Sequence, residues 1–162
     1  MTNYKENGNN IELIQPDFDL DETLDCGQAF RWEKLESDYK CTYTGFFLDK
    51  PLTISHDGEK FIFHNTTKED FENIWIDYFD FEKDYCEIKT RLSSDETLKK
   101  ACEFAGGIRL LKQDSWECLC SFIISQNNNI PRIKTIISRL CEHYGHFPTA
   151  SEMAQETVES LG

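Results

Sequence analysis

The sequence predicts an α+β fold, an antiparallel β-sheet followed by helices, and three observations lead to it. Residues 28 to 66 break into short runs of β-forming residues separated by turn signals. From Thr67 onward the apolar positions fall at helical spacing, and Gly106-Gly107 then interrupts the helical part. With 162 residues, 39% apolar and 13% aromatic, the chain can bury a substantial core and should be globular.

The strand candidates are QAFRWEK, YKCTYTGFFL, PLTIS and KFIFHNT, with Pro51 and Asp57-Gly58 as punctuation. Alternation at Thr42/Tyr43/Thr44 and Phe61/Ile62/Phe63, together with the Asp-Gly turn, suits an antiparallel meander. In the first run Gln28, Phe30 and Trp32 read as strand residues, with Phe30 and Trp32 on one face in the core. The helix candidates are KEDFENIWIDYF, EKDYCEIKTRLS and SDETLKKACEFA, the last opening on a Ser or Asp cap. A boundary at the Gly pair divides residues 1–106, a sheet with helices, from residues 107–162, a helical segment.

Beyond the boundary, Asp114-Ser115-Trp116-Glu117 reads as a capping box, followed by Trp116, Leu119, Cys120 and Ile123 at helical spacing. The next helix carries Ile133, Ile136, Ile137, Leu140 and Tyr144 on one stripe and stops at Gly145. Between them lies SQNNNIPR, residues 125 to 132. Asn129 is an N-cap candidate, and Pro131 fits a first turn whose NH groups have no helical partner. Arg132 is the anomaly. A cation there faces the positive end of the helix dipole, at a cost of about 0.3 to 1 kcal/mol. Two readings stay open on the residues themselves: a solvated turn with a surface arginine, or amides and a cation set for phosphate and base-edge contacts on a nucleic acid.

Net charge is −13, which by itself argues against a nucleic-acid partner, but the distribution is uneven. Residues 1–100 carry 12 basic and 23 acidic side chains, whereas residues 105–139 carry Arg109, Lys112, Arg132, Lys134 and Arg139 against Asp114 and Glu117. The basic stretch contains the asparagine run. Seven scattered cysteines without a Cys-x-x-Cys pair read as reduced thiols and small core residues. Cys141 and His143 would point to different faces of a helix, so zinc is not expected. The acidic run at 17–28 has Glu22 where a calcium loop needs Gly and Gln28 where it needs Glu, so it reads as a solvated acidic face. No phosphate loop, Gly-x-Ser-x-Gly or His-Glu-x-x-His motif is present. Neither a run of about 18 apolar residues nor a secretory signal is visible, so a cytoplasmic protein is expected.

Taken together, CGQAFRW (26–32), GIRLLKQDSWECLCSFIISQNNNIPRI (107–133) and RLCEHYG (139–145) resemble the 8-oxoguanine DNA glycosylases of the helix-hairpin-helix superfamily. The likeness is continuous from about Tyr78 to the end, specific again at Gly27 to Trp32, and weak in the β region between. The triple Asn favours the oxoguanine branch over the alkyladenine branch. Ser115 stands where many members carry Pro. The resemblance implies a TBP-like antiparallel β domain, then part of an all-helical glycosylase domain, both facing bent duplex DNA with the damaged base flipped out. It implies a partner of double-stranded DNA carrying 8-oxoguanine opposite cytosine, a monomer, no cofactor, and in a bacterium a place on the nucleoid.

By position, Gly27 would offer its carbonyl to the N7 hydrogen that oxoguanine has and guanine lacks, a contact suited to a residue without a side chain. Asn127 would fill the gap left in the duplex, Arg132 would bond the estranged cytosine, and Asn128 and Asn129 would hold the corner. A strand-entry turn explains Gly27 equally well on pattern. The family's lysine nucleophile and aspartate lie in or after a Gly-rich hairpin, and the glycines after 107 are Gly145 and Gly162. The expectation is an amino-terminal portion of a bifunctional glycosylase and lyase, inactive by itself. Two other classes compete: a non-catalytic DNA- or protein-binding module, and a superfamily glycosylase for another damaged base.

Overall fold

The computed structural model describes residues 2–157. Six strands form one antiparallel sheet: β1 (Tyr4–Asn7), β2 (Asn10–Leu13), β3 (Trp32–Lys34), β4 (Cys41–Phe47), β5 (Lys50–His56) and β6 (Phe61–His64). Their order across the sheet is β1-β2-β6-β5-β4-β3. The predicted meander is β3 to β6, in register through Trp32 opposite Gly45, Tyr43 opposite Ile54, and Ile54 opposite Phe63. The hairpin β1–β2 is an addition that the sequence reading did not place. Its turn, Gly8-Asn9, lies between paired Asn7 and Asn10, and Gly8 takes a φ of 61°. The Asn-Gly signal was there, but the flanking strands are short and polar.

Three local expectations are corrected. Pro51 does not separate strands: it sits inside β5 opposite Phe46, and the chain reverses at Leu48, whose φ is 53°. Gln28 and Phe30 precede β3 instead of belonging to it, because Gln28 is bonded to the extended segment that precedes Ser115, through Arg109 and Gln113, and not to a neighbouring strand. The acidic run is a solvated face on its outer side, where Asp21 and Asp25 are exposed, but it has a packed underside that was not expected. It contains α1 (Leu20–Leu24), capped by Asp19, with Phe18, Leu20, Thr23 and Leu24 buried beneath its carboxylates.

One face of the sheet carries Ile11, Leu13, Trp32, Tyr43, Leu52, Ile54, Phe61 and Phe63 into the core. Against it lies a continuous helix of α2 (Lys68–Asp70), a π-helical stretch (Phe71–Trp75) and α3 (Ile76–Tyr78). Thr67 caps it, accepting from the Asp70 amide. Phe71, Trp75, Tyr78, Phe79 and Phe81 are buried in one aromatic cluster, in which the Trp32 indole NH donates to the Tyr78 hydroxyl at 2.8 Å. A fully buried aromatic contributes about 1.5 to 3 kcal/mol, so this cluster is the main source of cohesion.

Two shorter helices follow, α4 (Tyr85–Leu92) and α5 (Glu96–Phe104), capped by Asp84 and Asp95. The Gly pair then leads into an extended segment that runs back over α1. The Gly107 carbonyl accepts from the Asp19 amide at 2.8 Å, and its NH donates to Glu22 Oε2 at 2.6 Å. A Cβ at Gly107 would lie 2.5 Å from the Asp19 Cβ, so this approach demands glycine.

Candidate nucleic-acid interface

Two helices make a corner: α6 (Ser115–Ser125) and α7 (Ile130–Tyr144). Asp114 caps α6, its carboxylate accepting from the Trp116 and Glu117 amides. The predicted capping box is half formed, because the Glu117 side chain turns away to Arg31 at 3.0 Å. The reciprocal box occurs instead at α8 (Ala150–Met153), between Thr149 and Glu152. α7 ends as expected on Gly145, at φ 77°.

Each asparagine at the corner has a separate backbone task. Asn127 takes the left-handed conformation, φ 60°, which Asn tolerates better than most side chains. The Asn128 amide donates to the Ile124 carbonyl at 2.7 Å, satisfying one of the last acceptors of α6. Asn129 caps α7, accepting from the Arg132 amide at 3.0 Å. Once these bonds are made, the Asn127 side chain is exposed with no hydrogen bond among the described residues. The Arg132 guanidinium is likewise exposed and makes no ion pair among them.

Tertiary contacts sort the five cations of the basic stretch. Arg109 is buried: its guanidinium donates to the carbonyls of Pro16, Asp17 and Asp80 and stacks 4.3 Å over the Tyr85 ring. Lys112 is paired with Asp77 and Asp80, and Lys134 donates to the Trp32 carbonyl. Arg132 and Arg139 are left uncommitted among the described residues. Sequence spacing counted all five as one basic patch, and the fold reduces that patch to two arginines on α7.

Gly27 faces the start of α7. Its φ is 85°, and a Cβ there would sit 3.6 Å from the Ile130 Cδ1, an ordinary contact. The requirement for glycine is therefore conformational: a side chain at this φ costs about 1 to 2 kcal/mol. The loop after it hangs from the helical half of the molecule. Gln113 Nε2 donates to the Gln28 carbonyl at 2.5 Å, the Gln28 side chain accepts from the Leu111 amide and donates to the Arg109 carbonyl, and Arg31 meets Glu117. Sequence reasoning missed Gln28, Gln113, Arg31 and Glu117 as a group, since nothing in their spacing announces contacts more than 80 residues apart. The local signal was the sequence CGQAFRW itself.

The pair Arg31 and Glu117 is mostly buried, with side-chain exposures of 10% and 15%. Burial pushes the Glu117 carboxyl above its ordinary value, and the Arg31 cation partly offsets this. No helix among the described residues is long and apolar enough to cross a membrane, and they contain no cluster of three or more metal-ligating side chains.

Residues 10–119 match the family model for the amino-terminal domain of 8-oxoguanine DNA glycosylase. Among sequence relatives, the chain is 32% identical to an N-glycosylase/DNA lyase of Saccharomyces cerevisiae over 102 residues, covering 56% of this chain and 22% of that protein. It is 28% identical to N-glycosylase/DNA lyase OGG1 of Arabidopsis thaliana over 165 residues, covering 93% of this chain and 45% of that one. The chain thus spans less than half the length of either relative. Among solved structures, MBOgg1 in complex with a low-affinity DNA ligand superimposes with a TM-score of 0.91 at 40% identity, covering 99% of this chain and 59% of that one. The 8-oxoguanine glycosylase/lyase of Clostridium acetobutylicum, bound to double-stranded DNA with cytosine opposite 8-oxoG, gives 0.85 at 36% identity, with 99% and 58% covered. The sheet, the extended joint and the first helices of this chain agree with that family over most of their length, and the chain belongs to the 8-oxoguanine DNA glycosylase family.

Proposed function

We propose that this chain is the amino-terminal part of a bifunctional DNA glycosylase that removes 8-oxoguanine opposite cytosine from duplex DNA. The observation that carries the reading is the corner itself. Its three asparagines settle the backbone of both helices and leave the Asn127 amide and the Arg132 guanidinium facing out, without partners among the described residues. Gly27, held in a left-handed conformation next to Ile130, is in a position to present backbone instead of side chain to a flipped base. In this reading Gly27 distinguishes oxoguanine from guanine, Asn127 occupies the vacated space, and Arg132 bonds the unpaired cytosine. Asn128 and Asn129 keep the corner in shape.

Excision needs an amine that attacks C1′ of the sugar while the base departs with the bonding electrons, and a carboxylate to stabilise the developing charge. A lysine and an aspartate in the part of the relatives' length that this chain does not span would supply them. The division into residues 1–106 and 107–162 belongs to the same proposal, as do action as a monomer and a cytoplasmic location, on the nucleoid in a bacterium. Residues 158–162 lie outside the described residues.

The test uses the complete protein that carries this chain. Arg132→Ala should reduce the preference for cytosine over adenine opposite the lesion by roughly 1 to 3 kcal/mol, a factor of about 5 to 150. Equal handling of the two partners before and after the change would reject the assignment.

A further inference from the structure

Strand β3 lies at the outer edge of the sheet, next to β4 alone, so one row of its backbone groups lacks a neighbouring strand. An unpaired edge carbonyl must find water or a side chain. At Trp32 it finds Lys134, whose ammonium reaches across from α7 and donates to the Trp32 oxygen at 2.7 Å. The lysine side chain is 19% exposed, and its secondary partner is Glu33 at 3.8 Å. A long cation spent mainly on a backbone carbonyl, with a carboxylate as a weak second contact, is doing more than neutralising charge.

The two ends of this bond belong to the two recognition elements. Trp32 opens β3 five residues after Gly27, where the loop that the proposed function assigns to the lesion joins the sheet, and Lys134 is two residues after Arg132 in the helix assigned to the opposite base. Around the bond, Ile130 touches the Gly27 position and Glu117 holds Arg31. The intervening residues are anchored too, with Ile133 and Trp32 buried. The lysine contact therefore ties α7 to the point where the loop enters the sheet, next to the bonds that Gln28 and Arg31 make to the segment before α6 and to α6 itself.

We infer that Lys134 is a positioning residue, holding the Gly27 loop in register with the Arg132 corner so that lesion and opposite base are read by one rigid unit. The inference rests on the proposed function of that site. It makes a statement the separate roles of Gly27 and Arg132 do not make: both preferences, oxoguanine over guanine and cytosine over adenine, depend on one side chain that touches neither base. Since a shift of about 1 Å in a positioned group can cost up to two orders of magnitude, a loss of about tenfold in each preference is expected when the strut is cut.

The experiment compares Lys134→Met and Lys134→Arg in the complete protein, using duplexes with 8-oxoguanine or guanine opposite cytosine and with 8-oxoguanine opposite adenine. Methionine keeps the apolar stem and removes the donor, so the fold should survive, and thermal unfolding checks that it does. The expected result is that Lys134→Met lowers both preferences about tenfold, leaves affinity for undamaged duplex within twofold, and is rescued by Lys134→Arg. A second measurement guards against a destabilised variant: in the Lys134→Met background, Arg132→Ala should lose most of its own effect on partner choice. If both preferences survive in Lys134→Met, or fall without rescue in a protein as stable as the wild type, Lys134 is not a positioning residue. A wild-type protein with no preference for oxoguanine overturns the proposed function instead, and the inference with it.

Discussion

The Arg31 guanidinium and the Glu117 carboxylate meet at 3.0 Å across the seam between the Gly27 loop and helix α6, 86 residues apart in sequence and largely shielded from water. This pair explains why Glu117 does not close the capping box that its position suggests. The carboxylate is worth more to a buried cation than to an amide that solvent can reach.

Removing one partner should therefore hurt more than removing both. Arg31→Met leaves Glu117 in place with its main compensating charge gone, and should cost about 3 kcal/mol at neutral pH. Burial raises the Glu117 pKa, so its stabilising contribution is complete below the unfolded carboxylate value and is lost as pH rises through the folded value. Without Arg31 that folded value moves higher still. Urea unfolding at pH 5 and pH 8 should show a larger deficit for Arg31→Met at pH 8. Arg31→Met combined with Glu117→Leu should recover much of the loss.

Arg109 should be a stability residue rather than a DNA contact. Arg109→Met would leave the buried Asp80 carbonyl and the part-buried Asp17 carbonyl without their charged donor, at about 1.5 to 3 kcal/mol for each, whereas the exposed Pro16 carbonyl still accepts from Gln15. Denaturant unfolding should report a loss of about 3 to 5 kcal/mol. A variant that stays as stable as the wild type but binds DNA less tightly would contradict the burial argument.

At Gly27 the two consequences of substitution can be separated. Gly27→Ala should lower stability by about 1 to 2 kcal/mol through its positive φ, since the added Cβ meets Ile130 at ordinary contact distance. In the complete protein the preference for oxoguanine should suffer as well. Thermal unfolding alongside an excision assay tests both, and an alanine variant with unchanged stability would mean that the loop relaxes freely.

The carboxyl of Glu152 is held down to about 2 by the Thr149 amide and hydroxyl and by His146. A depressed carboxylate contributes stability that is present above its unfolded value and lost as pH falls through the folded one. The reciprocal cap of α8 should thus persist at pH 4 and open as pH falls toward 2. Following the Thr149 amide resonance through that range would show it, and Glu152→Gln, which keeps an acceptor for that amide but removes the titrating group, should abolish the transition.

What the sequence determined by itself is what depends on neighbours along the chain. The strand runs of β4 and β6, the caps Asp95, Asp114 and Asn129, and the stop at Gly145 are all short-range matters, and they agree with the structure. The corner was legible for the same reason, because turn conformation, helix capping and the odd placement of Arg132 are decided within eight residues. Tertiary structure decided which of these groups remain available. It buried Arg109, tied Lys112 to two aspartates and Lys134 to a strand edge, diverted Glu117 from its cap, and turned an acidic run into a packed helix. Each of those outcomes requires partners that are distant in sequence, and a buried charge or an edge carbonyl takes whichever partner the fold brings within reach.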